Sequence, residues 1–149
     1  MDSQREFYDI CKENSLILSQ LQADLIETYV ENLHEWNKKI NLVSRNDLAR
    51  VWKQHMLGSI SFLFTHSLEM PSDVLDLGTG GGLPGIPVSI LQPELKVTLL
   101  DSIQKKVIAV KDILAHLRLN NVSIVCGRAE DLGIKREFQQ NYDYILARA

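Results

Sequence analysis

The feature that most constrains this chain is a short apolar run ending in a glycine-rich turn, DVLDLGTGGGLPG, at residues 73–85. The run 73–77 has the length and composition of a buried strand. The next segment, LPGIPVSIL at 83–91, begins with prolines, which a helix accepts in its first turn, and ends before Pro93. Glycines between a strand and a helix let a ligand approach the backbone closely. The sequence therefore predicts a strand, a ligand-binding loop and a helix in succession.

Strands and helices alternate through the rest of the chain. An amphipathic helical pattern begins at Ile103, continues to Leu117 and is ended by Asn120-Asn121. Further strands are predicted at KVTLLD (96–101), VSIVC (122–126) and YDYIL (142–146). This alternation implies right-handed crossovers and a mostly parallel α/β sheet.

The N-terminal part of the chain has a different, helical character. Apolar residues recur at three- and four-residue steps over 21–40, which predicts one long helix ending near Lys39. Ser19 and Gln22 fit a capping box at its start. Weaker patterns predict helices over 3–13 and 47–64.

The length of 149 residues suits a single domain with one core. We interpret 1–70 as an N-terminal helical segment of this domain and 71–149 as its α/β core. No apolar run approaches the roughly 20 residues of a membrane span, and the N-terminus is no secretory signal, so we expect a cytoplasmic protein with no membrane partner. Cys11 and Cys126 lie far apart without ligand-spaced neighbours, so neither a disulfide framework nor a metal site is predicted.

Charge is unevenly distributed along the chain. The formal net charge of −3 is not that of a typical nucleic-acid-binding domain. Within 34–55, however, five basic residues stand against only two acidic ones, Glu35 and Asp47. The basic residues are Lys38, Lys39, Arg45, Arg50 and Lys53. Two interpretations stay open for this segment: a patch that contacts phosphates, or an ordinary solvated face.

The glycine loop leaves two ligand classes to compare. Gly80, Gly82 and Gly85 match the G-x-G-x-x-G spacing of dinucleotide-binding loops. The carboxylate of Asp76 would repel a pyrophosphate at the helix N-terminus, and Pro84 removes an amide donor that such an anion uses. We therefore favour a ligand with an ammonium group facing Asp76 over NAD, which remains the alternative for an oxidoreductase.

Asp101 adds a second chemical requirement. It closes the strand 96–101, 21 residues after Gly80, where a carboxylate can accept hydrogen bonds from both ribose hydroxyls. A helix N-cap shared with Ser102 is the alternative role. An amino group combined with a ribose describes S-adenosylmethionine. The later loop 127–131 is placed to contact an adenine edge, or is simply a polar turn.

These motifs together resemble one family. The segments DLGTGGGLPGIPVSI, TLLDS, GRAED and ARA, with LHEWNKKINLVS and KQHMLGSI upstream, resemble the RsmG (GidB) family of 16S ribosomal RNA guanine-N7 methyltransferases. The resemblance implies a Rossmann-like class I S-adenosylmethionine-dependent methyltransferase sheet preceded by the N-terminal helical segment. It implies S-adenosyl-L-methionine as cofactor and 16S ribosomal RNA, or the small ribosomal subunit, as partner.

The resemblance also implies roles for individual residues. Gly78 and Leu83 would line the methyl donor, and Asp101 would bind its ribose; Asp76 and Gly80 join these cofactor-binding candidates from the reasoning on the glycine loop. Ala129 and Glu130 would contact the adenine, and Arg148 the donor or the incoming RNA. Asn41 and His55 match polar positions of the family's N-terminal part.

No catalytic residue is predicted. Guanine N7 already carries a lone pair, so its methylation needs positioning rather than a general base. Family members usually carry aspartate where Gly58 stands here, and their fold continues beyond ARA. With the strand order 3-2-1-4, YDYIL would lie at a sheet edge, so we expect an incomplete sheet. The alternative to an enzyme is a non-catalytic remnant that binds S-adenosylmethionine or RNA.

Overall fold

A computed structural model of the protein describes residues 3–139 and 141–148. The N-terminal segment consists of short and long helical pieces. They are α1 (Ser3–Glu13), α2 (Gln20–Asn37), α3 (Arg45–Leu48), a π-helical turn (Trp52–Leu57), α4 (Gly58–Ile60) and a 3-10 turn (Ser61–Phe64). The prediction of one continuous helix over 47–64 is therefore wrong, because the helix type changes from α to π, back to α and then to 3-10 within this range.

The long helix α2 begins as the sequence predicts. Ser19 Oγ accepts a hydrogen bond from the backbone N–H of Gln22, and the Gln22 side chain accepts one from the Ser19 N–H at 2.9 Å. Two N–H groups at the helix start are thus satisfied by side chains, and the capping box is confirmed.

The rest of the described chain forms a parallel sheet with helices between its strands. Its elements are β1 (Asp73–Leu77), α5 (Gly85–Leu91), β2 (Lys96–Asp101), α6 (Gln104–Leu117), β3 (Val122–Cys126), α7 (Ala129–Leu132), a 3-10 turn (Arg136–Phe138) and β4 (Tyr144–Ala147). The sheet order is β3-β2-β1-β4 and every pairing is parallel, which confirms the predicted α/β class and order.

The fourth strand lies at the edge of this sheet. It pairs with β1 through Val74–Tyr144 to Leu77–Ala147, two residues later in the chain than the predicted start at 142. Ile145 is 64% exposed although its strand is apolar. Because parallel strands are usually covered on both faces, this exposure is unusual.

Helix α2 packs beneath the glycine loop and against α6. The hydroxyl of Tyr29, which is fully buried, donates a hydrogen bond to the carbonyl of Gly81 at 2.9 Å. The indole N–H of Trp36 donates to Asp112 Oδ2 at 2.8 Å. A single buried apolar cluster contains residues of both the helical segment and the sheet. The glycine loop is therefore supported from below by the N-terminal helices.

Candidate functional site

The candidate site lies at the carboxyl ends of the strands, where parallel α/β sheets bind their ligands. The loop after β1 takes left-handed backbone angles at Gly78, Gly80 and Gly82, with φ of 71°, 59° and 98°. The N–H groups of Gly78 and Thr79 both donate to the carbonyl of Leu100 at 2.9 Å. The loop is therefore anchored to the end of β2.

Asp76 lies beneath this loop rather than at its surface. Its side chain is 0% exposed, and Oδ2 accepts hydrogen bonds from Thr79 Oγ1 at 2.6 Å and from the N–H of Gly85 at 2.8 Å. Burial raises the pKa of this carboxyl, and the two hydrogen bonds oppose that shift. The expected direct contact between Asp76 and a ligand ammonium group is absent from this geometry: Asp76 holds the loop instead.

The start of α5 offers few donors to an external anion. Gly82 and Leu83 N–H donate to the carbonyl of Thr79, and Ile86 N–H donates to that of Gly82. Gly85 N–H is taken by Asp76, and Pro84 has no N–H. The N–H groups that a pyrophosphate would use at this helix start are thus already engaged within the loop or absent, which adds to the repulsion by Asp76 as an argument against NAD.

Asp101 links the end of β2 to two backbone segments. Its Oδ2 accepts from the N–H of Gly80 at 2.8 Å, and its Oδ1 accepts from the N–H of Ile103 at 2.9 Å. Helix α6 has Ile103 as its N-cap residue, without a side-chain cap, so the alternative N-cap role for Asp101 with Ser102 is wrong. The side chain is 8% exposed, and it borders a cleft.

This first cleft has a volume of about 340 Å³ and runs along the ends of β1, β2 and β3. It brings together four of the predicted residues with their neighbours. The lining residues are Leu77, Gly78, Leu100, Asp101, Ser102, Gly127, Arg128, Ala129 and Glu130. Its lining combines the carboxylate of Asp101 at the end of β2 with the polar turn after β3.

A second cleft of about 250 Å³ meets the first at Gly78. It contains the remaining predicted residues except Asp76. The lining residues are Leu42, Val43, Asp47, His55, Gly78, Thr79, Gly80, Gly81, Leu83 and Arg148. Nothing lies within 4 Å of a Cβ built on Gly78, so its Cα faces open space at the junction of the two clefts.

The N-terminal segment supplies one wall of the second cleft. Asn37 Oδ1 accepts hydrogen bonds from the N–H groups of Leu42 and Val43, at 2.8 and 3.0 Å, and so fixes the chain after α2. Sequence reasoning missed Asn37, Leu42 and Val43. A signal for Asn37 exists, because this polar residue stands four positions after Leu33 on the buried face of α2. Asn41 is exposed and lines neither cleft.

Arg148 follows β4 and closes the other wall. Its Nη2 donates to His55 Nδ1 at 2.7 Å, and its Nη1 donates to the carbonyl of Gln54 at 3.1 Å. Beyond it lies a third cleft of about 270 Å³, lined by Asp47, Gln54, His55, Gly58 and Arg148. A Cβ on Gly58 would lie 3.4 Å from Arg148 Nη1, so a side chain at this position would contact the guanidinium.

Residues 3–139 and 141–148 lack both a metal-binding cluster and a membrane-spanning helix. No group of three or more His, Cys, Asp or Glu side chains in these ranges is arranged to hold a metal ion. In the same ranges every helix is too short or too polar to cross a bilayer. Of the cysteines, Cys11 is buried and Cys126 is exposed, and both are free.

Sequence comparison finds one family for most of the chain. The family model described as rRNA small subunit methyltransferase G matches residues 22–149. A ribosomal RNA small subunit methyltransferase G from Desulforamulus reducens is 39% identical over 138 residues, which cover 93% of this chain and 58% of the relative. Another from Alkaliphilus metalliredigens is 38% identical over 149 residues, which cover 100% of this chain and 62% of the relative. The chain thus spans about three fifths of the length of these relatives.

Solved structures share the fold at lower identity. A protein-L-isoaspartate O-methyltransferase has a TM-score of 0.62 at 19% identity, covering 97% of this chain and 47% of that one. A putative S-adenosyl-L-methionine-dependent methyltransferase from Methanococcus maripaludis has a TM-score of 0.54 at 19% identity, covering 80% of this chain and 48% of that one. The fold is that of class I S-adenosylmethionine-dependent methyltransferases, as predicted. With the matching family model and relatives, this chain belongs to the rRNA small subunit methyltransferase G family.

Proposed function

We propose that this chain binds S-adenosyl-L-methionine and transfers its methyl group to ribosomal RNA, at N7 of a guanine in the 16S RNA of the small ribosomal subunit. One observation carries the proposal: the two clefts meet at Gly78, beside a loop in which the carboxylate of Asp76 accepts the Gly85 N–H at the start of α5. A ligand for this crevice needs a nucleoside and an amino-acid part without a phosphate between them. Family membership supports the choice of small-subunit ribosomal RNA, and the family resemblance of the sequence motifs suggests N7 of guanine.

The lining of the first cleft suits the nucleoside part. Asp101 would accept hydrogen bonds from the ribose hydroxyls, since each carboxylate oxygen has lone pairs beyond the one that its backbone partner uses. Ala129 and Glu130 would contact the adenine from the turn after β3. These assignments repeat the roles that the family resemblance implies.

The second cleft suits the amino-acid part. Arg148 offers a guanidinium for its carboxylate, and Gly80 and Leu83 line the same cleft. When bound, S-adenosylmethionine supplies an electrophilic methyl group on a sulfonium leaving group. Gly78 lies where the two parts would join, so its missing side chain would leave room for that centre. Asp76 would act from below by keeping the loop in shape.

The chemical step asks little of the protein beyond orientation. N7 of guanine attacks with its own lone pair, so no general base is required, and correct placement can contribute about 7 to 11 kcal/mol. The exposed residues Arg45, Arg50 and Lys53 belong to the segment that borders the third cleft, and we propose that they contact RNA phosphates. Lys38 and Lys39 are already engaged, with Glu35 and with the Trp36 ring.

Calorimetry with S-adenosylhomocysteine and with NAD tests the ligand. We expect the sulfur compound to bind, NAD not to bind, and Gly78→Ala to weaken binding at least about tenfold, because the added methyl enters the crevice. Asp9→Ala, at an exposed position of α1, is the control and should bind normally. Binding of NAD in place of S-adenosylhomocysteine would overturn the proposal.

Transfer of tritiated methyl to unmodified small ribosomal subunits tests the reaction. Cleavage of the product RNA at N7-methylguanine should then map the modified base. Donor binding without transfer would instead favour a non-catalytic binding protein, and label on another atom or another RNA would overturn the proposed specificity.

A further inference from the structure

The pair formed by Arg148 and His55 joins the end of β4 to the π-helical turn. Two nitrogens of the guanidinium are held by this turn, one by the imidazole of His55 and one by the carbonyl of Gln54. These residues are 93 and 94 positions away from Arg148 in the chain. The direction of the guanidinium at the boundary between the second and third clefts therefore depends on the N-terminal segment.

The contact requires one protonation state of His55. Arginine is a donor only, so Nδ1 must accept, and a neutral imidazole then carries its proton on Nε2. His55 is 9% exposed, and its Nε2 is buried without a hydrogen-bond partner among the described residues. A second proton, on Nδ1, would place an N–H group against the guanidinium and break the contact.

The groups around His55 favour the neutral form. Burial lowers the pKa of His55, the charge of Arg148 after β4 lowers it further, and Asp47 of α3 opposes them. The net shift is downward from the ordinary value of 6.5. At neutral pH the imidazole is therefore an acceptor, and it becomes protonated only in more acidic solution.

We propose that His55 is a positioning residue for ligand binding: its neutral imidazole holds the Arg148 guanidinium so that it receives the carboxylate of the methyl donor's amino-acid part. This inference rests on the proposed function. It predicts that affinity for a carboxylate-bearing ligand falls as His55 is protonated, whereas affinity for a ligand without that carboxylate does not.

Two related ligands separate this effect from a general loss of the binding site at low pH. S-adenosylhomocysteine carries the amino-acid carboxylate, and methylthioadenosine lacks the amino-acid part. As the pH is lowered from about 7.5 to below the lowered pKa of His55, we expect the wild-type chain to lose about tenfold in affinity for the first and little for the second, the size of a lost charge-assisted hydrogen bond. The same titration on His66→Asn, at an exposed histidine outside the clefts, should match wild type.

Two variants of His55 sharpen the test. Asparagine presents an oxygen near the position of Nδ1 and does not titrate, so His55→Asn should restore most of the affinity that His55→Phe loses and should abolish the pH dependence. If His55→Phe binds S-adenosylhomocysteine as tightly as wild type throughout the titration, the positioning role is wrong while the proposed function stands.

The tautomer of His55 can also be measured without any ligand. Nitrogen NMR of the histidine-labelled full chain should show His55 with its proton on Nε2 and titrating below its ordinary range, and Arg148→Gln should raise the pH at which His55 titrates, because a charge that lowers its pKa is removed. A proton on Nδ1 at neutral pH would overturn the inference. If neither ligand binds to a chain that shows the expected tautomer, the proposed function has failed, and the positioning role fails with it.

Discussion

Asp101 and Gly80 are joined by a hydrogen bond of 2.8 Å from the Gly80 N–H to Asp101 Oδ2, which connects the end of β2 to the middle of the glycine loop. The other oxygen of Asp101 fixes the turn before α6 through Ile103. One carboxylate therefore sets the relative positions of two backbone segments that border the first cleft.

Replacement of Asp101 by alanine should destabilise the protein and remove nucleoside binding. Two backbone N–H groups lose their acceptor, which we expect to lower the free energy of unfolding by about 1–3 kcal/mol in urea titrations. Adenosine, which lacks the amino-acid part, should no longer bind in calorimetry. Asp9→Ala should change stability by less than about 0.5 kcal/mol and leave binding intact. Unaltered adenosine affinity in Asp101→Ala would contradict the assignment of the ribose to this residue.

The buried carboxyl of Asp76 should make the free energy of unfolding depend on pH. Its pKa in the folded protein is raised above the ordinary value of 3.8, so the native state binds more protons than the unfolded chain just above that pH. The contribution of Asp76 to the free energy of unfolding is therefore present at low pH and is lost as the pH rises from about 4 through the folded pKa.

Asp76→Asn keeps one oxygen for Thr79 and Gly85 but cannot ionise. We expect its stability relative to wild type to increase as the pH rises from about 4, measured by urea unfolding at several pH values. Asp76→Ala leaves both donors without an acceptor and should cost about 1–3 kcal/mol. Parallel pH curves for Asp76→Asn and wild type would show that Asp76 does not titrate as described.

Tyr29→Phe tests the support under the glycine loop. The substitution keeps the buried ring but leaves the Gly81 carbonyl without its hydroxyl donor. The free energy of unfolding should therefore fall by about 1 kcal/mol, and S-adenosylhomocysteine should bind more weakly. Tyr8→Phe is a matched control, since it also removes one hydroxyl, bonded to Glu27 at 2.9 Å on α2. The control should affect stability alone. Equal binding in the two variants would mean that the loop does not need Tyr29.

Gly58 and Gly78 should respond oppositely to alanine. Gly58 has φ of −61°, which alanine also adopts, and the nearest atom to an added Cβ is Arg148 Nη1 at 3.4 Å. Gly58→Ala should therefore stabilise the protein by about 0.4–1 kcal/mol through the unfolded chain. Gly78 has φ of 71°, and alanine there should cost about 1–2 kcal/mol. Urea unfolding of both variants measures these changes, and destabilisation by Gly58→Ala would show that the contact with Arg148 is strained.

The order of elements and most of the site were accessible from the sequence because they depend on local patterns. The hydrophobic patterns predict β1 to β3, α5 and α6. The positions of Asp101 and Arg148 at strand ends identify them as candidate site residues. The burial of Asp76 was also foreseeable: with a period of two, it shares a face with Val74, which is fully buried. The position of a carboxylate at a strand end does not by itself distinguish a ligand contact from a loop support.

Other features depend on contacts between distant parts of the chain. His55 and Arg148 meet only because the π-helical turn packs beside the end of β4, and no local pattern predicts that turn. Asn37 has its role through the backbone of Leu42 and Val43, which only the folded path after α2 brings within reach.

The bond between Tyr29 and Gly81 bears on how this protein can be dissected in the laboratory. A shortened protein that starts at β1 would retain every glycine of the loop but would lack helix α2, whose Tyr29 hydroxyl supports the loop from below. Chimeras that exchange the leading helices with those of a relative would keep this support only if the incoming helix places a hydroxyl within hydrogen-bonding distance of the Gly81 carbonyl.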